Sequence, residues 1–166
     1  MTPIIQALAD GHDRRRFSCG VEALDRWFHE QAGQSHRKRR TTVWVATDPA
    51  EPAIPIGYYS LAPFHLAFEQ SPADLRRRLP KEPLPVVLIA RLATATAVRG
   101  KGLGGLLLID AVKRSHRASL QVPTHGVVVH AKGDRAAAFY RHHGFLPFAD
   151  DALHLYLPMA TIAALP

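Results

Sequence analysis

The chain predicts an α/β (α+β) fold, a mixed sheet with helices on both faces. Apolar runs rich in β-branched residues, such as Thr41–Thr47 and Val86–Leu92, alternate with segments whose apolar side chains recur every three or four positions. The resulting order, αβββαβαβαβ, groups strands early and alternates strand with helix later. With 166 residues, 47% of them hydrophobic, the chain can bury the core of one domain, residues 1–166, and has no internal repeat or low-complexity tract.

Val21, Leu24, Trp27 and Phe28 follow Ser18 and Gly20 at helical spacing, which predicts an amphipathic helix from Val21 to Gln34. Thr41–Thr47 reads as a strand, Asp48–Pro52 as a turn and Ile54–Leu61 as a second strand with Pro55 near its start. Leu61–Phe68 can pair as a third. Ala73–Arg78 suggests a short helix, stopped by the proline-spaced segment Leu79–Pro85. Val86–Leu92, apolar up to Arg91, has the character of a central strand covered on both faces. Leu106–Arg117 then reads as a helix with cations suited to its C-terminal dipole. Val127–Val129 is a short buried strand, Ala136–His142 a helix closed by Gly144, and Leu153–Leu157 a last strand.

The charge balance, 21 Lys and Arg against 14 Asp and Glu for a net +7, favours polyanionic partners. It is concentrated in Arg14–Arg16, Arg37–Arg40 and Arg76–Arg78, although solvated surface arginine accounts for part of it. A single cysteine, Cys19, forms no internal disulfide and fits a reducing compartment; it reads as a small residue before a helix rather than a nucleophile. The histidines are scattered, and the rings of His142 and His143 diverge on a helix, so no metal is expected. Met1–Asp13 lacks a secretory pattern and no long apolar stretch occurs, giving the expectation of a cytoplasmic protein without a membrane span.

Chemistry concentrates in Arg99-Gly100-Lys101-Gly102-Leu103-Gly104, between the central strand and the following helix. Glycines let backbone close on a bulky group, and the N–H groups of a glycine-rich turn and a helix start converge on an anion. A flexible basic loop has the same composition; the flanking strand and helix favour a phosphate cradle.

Arg99, Gly102 and Gly104 match the (Arg/Gln)xxGxG signature of GNAT-type N-acetyltransferases. Ala138-Phe139-Tyr140 with Gly144-Phe145 matches that family's second signature. More narrowly, Phe17–Gly20 with Leu24, Gly57-Tyr58-Tyr59-Ser60-Leu61, Leu84–Leu88 and Ala90–Ala93 resemble the acetyltransferase toxins of bacterial type II toxin–antitoxin pairs. The resemblance covers residues 14–159. It implies the GNAT fold, a single mixed, mostly antiparallel twisted sheet with helices on both faces. It also implies acetyl-CoA as cosubstrate, the α-amino group of an aminoacyl-tRNA as acceptor, inhibition of translation, a ribbon-helix-helix antitoxin and, in many members, a homodimer. Thr94-Ala95 departs from the usual Val-Asp pair, and Lys132 and Gly133 replace more typical apolar or acidic residues.

On this reading Arg99, Gly100, Lys101, Gly102, Leu103, Gly104 and Gly105 bind the pyrophosphate, while the backbone of Leu92, Ala93 and Thr94 pairs with the pantetheine amides as an added strand. Tyr140 is the expected catalytic residue. A phenol, reference pKa about 10, stays protonated at neutral pH and can donate to the sulfur of departing CoA. No carboxylate stands out as general base. An α-amine, at about 7.7–8.0, needs one less than a lysine at about 10.4. Arg37, Lys38, Arg39, Arg40, Arg76, Arg77 and Arg78 are candidates for tRNA phosphates, and Arg14–Arg16 for an antitoxin's acidic tail. Arg91 is assigned to tRNA or cofactor, or equally to a structural ion pair. Two other readings stand beside the toxin: an acetyltransferase for a small amine or protein N-terminus, and a non-catalytic nucleic-acid-binding module. The basic balance opposes a cationic small acceptor, and retention of both the cradle and Tyr140 opposes a non-catalytic role.

Overall fold

The computed structural model describes residues 1–71, 76–77 and 81–166. The elements are β1 (Ile4–Ala7), α1 (Glu22–Glu30), α2 (Ala32–Arg37), β2 (Thr42–Asp48), β3 (Glu51–Leu66), β4 (Leu84–Thr94), α3 (Leu103–Ser119), β5 (Gly126–His130), α4 (Asp134–His142), β6 (Leu146–Pro147), β7 (His154–Pro158) and α5 (Met159–Ala163). The strands form one seven-stranded sheet in the order β1-β2-β3-β4-β5-β7-β6. β1/β2, β2/β3, β5/β7 and β6/β7 pair antiparallel, and β4/β5 pair in parallel. The mixed, mostly antiparallel architecture expected from the sequence is therefore present.

Two compact units divide the chain, Met1–Ala62 with Ala90–Ala111, and Pro63–Ile89 with Val112–Pro166. The first is organised around Tyr58. Its ring stacks on Phe28 at 4.2 Å between centroids and on Trp27 at 6.0 Å, and Phe17 meets it edge-on at 5.4 Å. The Tyr58 hydroxyl donates to the Leu24 carbonyl at 2.8 Å, satisfying a phenol that would otherwise be costly to bury. The second unit buries Leu66, Leu84, Val86, Val128, Phe148 and Tyr156 together.

The structure corrects the helix expected over Val21–Gln34. It is two helices, broken at Gln31 (φ −119°, ψ −26°). Arg14, from a 3₁₀ turn at Arg14–Arg16, donates through Nη1 to the carbonyls of Phe28 and His29 at 2.9 and 3.1 Å. A cation bound to the exposed carbonyls of a helix end stabilises the end there.

The strands expected at Ile54–Leu61 and Leu61–Phe68 are one continuous strand, β3. Pro63 holds a φ that suits an extended chain, and Leu61 pairs with Thr42, whose neighbour Thr41 donates its hydroxyl to the Leu61 carbonyl at 2.7 Å. Pro55 lies at a register shift: Ala46 faces Gly57 and Thr47 faces Pro55, so Ile56 is bulged out of the pairing with β2. Helix and strand at Leu106–Arg117, Val127–Val129, Ala136–His142 and Leu153–Leu157 occur within a few residues of the expected limits. β1, β6 and α5 were not anticipated. Most of the helix expected at Ala73–Arg78 lies outside the described residues, as does part of its stop.

Candidate active site

The glycine motif opens α3, and everything around it fixes its backbone. The bulged Ile56 carbonyl accepts from the N–H of Ala95, the first residue after β4, at 2.8 Å. Thr96 N–H donates to the Ser18 carbonyl at 2.9 Å, and a 3₁₀ turn follows at Thr96–Val98. Gly100 and Gly102 both have φ +81°, a region side-chain-bearing residues rarely enter, and a Cβ at either would meet nothing within 4 Å. The glycines are thus demanded by backbone conformation, and the space beside them is open. Leu106 N–H donates to the Gly102 carbonyl at 3.2 Å as the first helical bond. The N–H groups of Leu103, Gly104 and Gly105 precede it and have no intrahelical acceptor, so they form the positive end of α3. Open space beside left-handed glycines at the positive end of a helix can admit an anion with close backbone approach.

Arg99 Nη2 donates to the Cys19 carbonyl at 2.5 Å. Asp25 holds the same segment from α1, accepting from Cys19 N–H at 2.8 Å and from the Ser18 hydroxyl at 3.4 Å. Arg99, expected to meet phosphate, thus also ties the loop to Ser18–Gly20. Burial, with Asp25 adding to it, pushes the Cys19 thiol up to about 11, so it is no thiolate at neutral pH. Lys101 is exposed and lines a groove of about 310 Å³ with Met1, Pro3, Val98, Leu103 and Leu106.

Behind the cradle, Gly57 lets α3 press onto β3. A Cβ there would lie 2.9 Å from Leu107 Cδ1 and 3.2 Å from both Leu103 Cδ2 and the Ala93 carbonyl. The Tyr59 hydroxyl donates to Asp110 at 2.5 Å, one helix turn further on. Asp25, Ile56 and Gly57 escaped sequence reasoning as positioning residues. Gly57 alone left a trace, in the Gly57-Tyr58-Tyr59 motif.

Leu92, Ala93, Thr94 and Arg99–Gly105 are brought together in the first unit. Arg91 stands with its Cζ 3.8 Å above the Trp27 ring, a cation–π contact rather than an ion pair, and burial lowers its pKa from the usual value while Tyr58 acts in the opposite sense. Arg37–Arg40 form the exit of α2. Arg39 takes a left-handed φ of 59°, and Arg40 N–H returns to the Ser35 carbonyl at 3.0 Å, so these cations also complement a helix C-terminus. Arg76 and Arg77 are described; Arg78 is not.

Tyr140 lies in the second unit, on α4. It is 9% exposed, with Phe139 and Phe145 edge-on at 5.2 and 5.6 Å between centroids. Burial pushes its pKa up to about 12, so the hydroxyl keeps its proton throughout the physiological range. Among the described residues that hydroxyl has no hydrogen-bond partner. The Tyr140 carbonyl accepts from His143 and Phe145 N–H at 3.0 and 3.1 Å, in a helix end closed by Gly144 at φ +93°. His143 Nδ1–H is spent on the Phe139 carbonyl at 2.9 Å.

Residues 39–147 match the acetyltransferase (GNAT) domain family. The chain is 34% identical over 158 residues to a "tRNA-acetylating toxin" of Mycobacterium tuberculosis, covering 95% of this chain and 93% of that one. It is 28% identical to a "probable toxin TacT" of Sinorhizobium fredii, covering 93% and 89%. Among solved structures it resembles AtaT complexed with acetyl-methionyl-tRNAfMet (TM-score 0.90, 27% identity, 98% of both chains). It also resembles an AtaT mutant toxin bound to the C-terminus of the antitoxin AtaR and acetyl-CoA (TM-score 0.82, 26% identity, 96% and 95%).

Proposed function

This chain belongs to the GNAT acetyltransferase family, and from that premise we propose that it acetylates the α-amino group of aminoacyl-tRNA in the cytoplasm. It acts as the toxin of a toxin–antitoxin pair, with a small ribbon-helix-helix protein as antitoxin. The observation that carries the chemistry is the left-handed glycine pair at the start of α3, open on the side where a Cβ would project. The acceptor follows from the likeness to the tRNA-acetylating toxin and to AtaT bound to an acetylated aminoacyl-tRNA, along nearly the whole chain.

Acetyl-CoA supplies a thioester carbonyl that an amine can attack. Backbone N–H groups from Gly100 to Gly105 hold the pyrophosphate, with Lys101 adding charge; the Arg99 N–H, expected to join them, is spent on the Thr96 carbonyl at 3.3 Å in the turn before the glycines. The end of β4, Leu92–Thr94, offers backbone donors and acceptors to the two pantetheine amides. As the amine nitrogen bonds to the carbonyl carbon and the C–S bond breaks, the role that the likeness to the family gives Tyr140 is donation of a hydrogen bond from its hydroxyl to the sulfur. A phenol so far above a thiol in pKa stabilises the developing thiolate more than it surrenders its proton. The acceptor's surplus proton leaves to water. Its reference pKa of about 7.7–8.0, lowered further by the adjacent ester, leaves much of it neutral without a dedicated base.

The test is incubation of the purified chain with labelled acetyl-CoA and total charged tRNA. Label in aminoacyl-tRNA that persists as N-acetyl-aminoacyl ester is expected. Label confined to small amines or protein N-termini, or no transfer at all, overturns the reading.

A further inference from the structure

A second basic feature of the first unit takes no part in the cofactor cradle. Between the start of the chain and α2 lies a pocket of about 90 Å³, room for several waters and so for one oxyanion, lined by Asp10, His12, Arg14, Gly33, His36 and Arg37 among others. Two guanidinium groups converge at its Gly33 wall. The position a Gly33 Cβ would take is 2.7 Å from Arg14 Nη2 and 3.2 Å from Arg37 Nη1. The two cationic nitrogens are therefore within about 6 Å of each other, a distance at which like charges disfavour one another.

Arg14 is only partly compensated, since Nη1 alone engages the carbonyls ending α1. Among the described residues neither arginine pairs with a carboxylate, and Asp10, although it lines the pocket, forms no ion pair with either. The imidazoles contribute donors too. His36 Nδ1 accepts from Val43 N–H at 3.0 Å, which puts the neutral ring's proton on Nε2, an atom with no partner among the described residues. His12 is locked in the same tautomer by Ala9 N–H at 3.0 Å, but its Nε2 already faces Gln6 at 3.2 Å.

We infer that Arg14, Arg37 and His36 around Gly33 form a site for one backbone phosphate of a polynucleotide. Donors from three side chains with no acceptor of their own match the unbridged oxygens of a phosphodiester. Arg15, Arg16, Lys38, Arg39 and Arg40 are exposed in the two segments that supply the pocket, so the cations extend along the chain on either side, as repeating phosphates require and one isolated anion does not. Gly33 is the specificity element, since any side chain there would displace the guanidinium groups. The site deepens the proposed function and rests on it in one respect: the polynucleotide is the tRNA whose aminoacyl end is acetylated.

Two variants test it on the full chain. Gly33→Ala puts a methyl group against both guanidinium groups without altering charge, and a helical backbone tolerates alanine. Arg37→Gln removes an exposed cation that does not hold α1. Both are expected to weaken tRNA binding about tenfold and raise KM for aminoacyl-tRNA, with kcat and acetyl-CoA binding unchanged. Arg37→Gln should also flatten the log–log salt dependence by about one. If the wild type acetylates aminoacyl-tRNA and both variants bind tRNA as it does, with the same salt slope, the site is refuted while the function stands. Loss of affinity for an acidic peptide in place of tRNA refutes it equally and gives the pocket to a protein partner. A wild type that binds acetyl-CoA but neither binds nor modifies tRNA refutes both.

Discussion

Arg99 donates a hydrogen bond to the backbone carbonyl of Cys19, 80 residues earlier in the chain, at 2.5 Å. The residue immediately before the glycine cradle is thereby anchored to the segment that precedes α1. Removing the anchor should loosen the cradle without emptying the core. Arg99→Ala is expected to keep its circular dichroism spectrum and to bind acetyl-CoA about tenfold more weakly, a loss close to one charge-assisted hydrogen bond. Unchanged affinity by calorimetry would deny Arg99 both the anchoring and any phosphate contact.

Gly102→Val forces a β-branched residue to φ +81° where space is open, so the penalty is backbone strain of about 1–2 kcal/mol. The chain should fold and lose measurable acetyl-CoA binding, because it escapes the strain by leaving the left-handed conformation that shapes the cradle. Retained binding with the same stability loss would mean that the cradle tolerates a different loop.

Tyr140→Phe should reduce turnover by about 10²-fold and leave the Kd for acetyl-CoA unchanged. Because burial holds the phenol up to about 12, wild-type kcat should show no descending limb from this group between pH 7 and 10. A descending limb in that range that vanishes in the variant would show that Tyr140 titrates earlier, and a variant with full turnover would remove it from the chemistry.

Gly57→Ala places a methyl group 2.9 Å from Leu107 Cδ1 and 3.2 Å from the Ala93 carbonyl, an overpacking expected to cost about 1–3 kcal/mol in urea unfolding. Since α3 carries the cradle, KM for acetyl-CoA should rise in the same variant. A stability loss with an unaltered KM would separate the helix's seat from the cofactor site.

The Cys19 thiol, raised by burial to about 11, gives a pH dependence of defined sign. Folded and unfolded thiols are both protonated below about 8.5, where its contribution is complete; the unfolded thiol ionises first, so stability falls as pH climbs from there through the folded value. Urea midpoints at pH 8 and 10 should differ less in Cys19→Ala than in the wild type. An equal difference in both would assign the alkaline loss to other groups.

The sequence made legible whatever has a local signature. The apolar run before the glycines, the left-handed glycines themselves and Gly144 after Tyr140 each act within a few residues, so the strand, the glycine turn and the closed helix were readable directly. The break between α1 and α2 was not, because its cause, Arg14 on the Phe28 and His29 carbonyls, lies 14 or more residues away. The length of β3 was hidden by three prolines that usually interrupt strands. Here Pro55 sits at a bulge, whose carbonyl serves Ala95. β1 and β6 are too short, at four and two residues, to establish a period. Arg91 read as a pairing or RNA-binding cation; its stacking on Trp27 is a tertiary fact with no mark in the surrounding residues.

The buried, protonated Cys19 is the sole cysteine of the chain. Maleimide chemistry at neutral pH should pass over it, so a cysteine introduced at an exposed position becomes a unique attachment point. A fluorophore placed at one end of the molecule could then report docking of charged RNA or of an inhibitor protein in real time, with no need to remove a native thiol whose backbone carbonyl holds Arg99 beside the glycine turn.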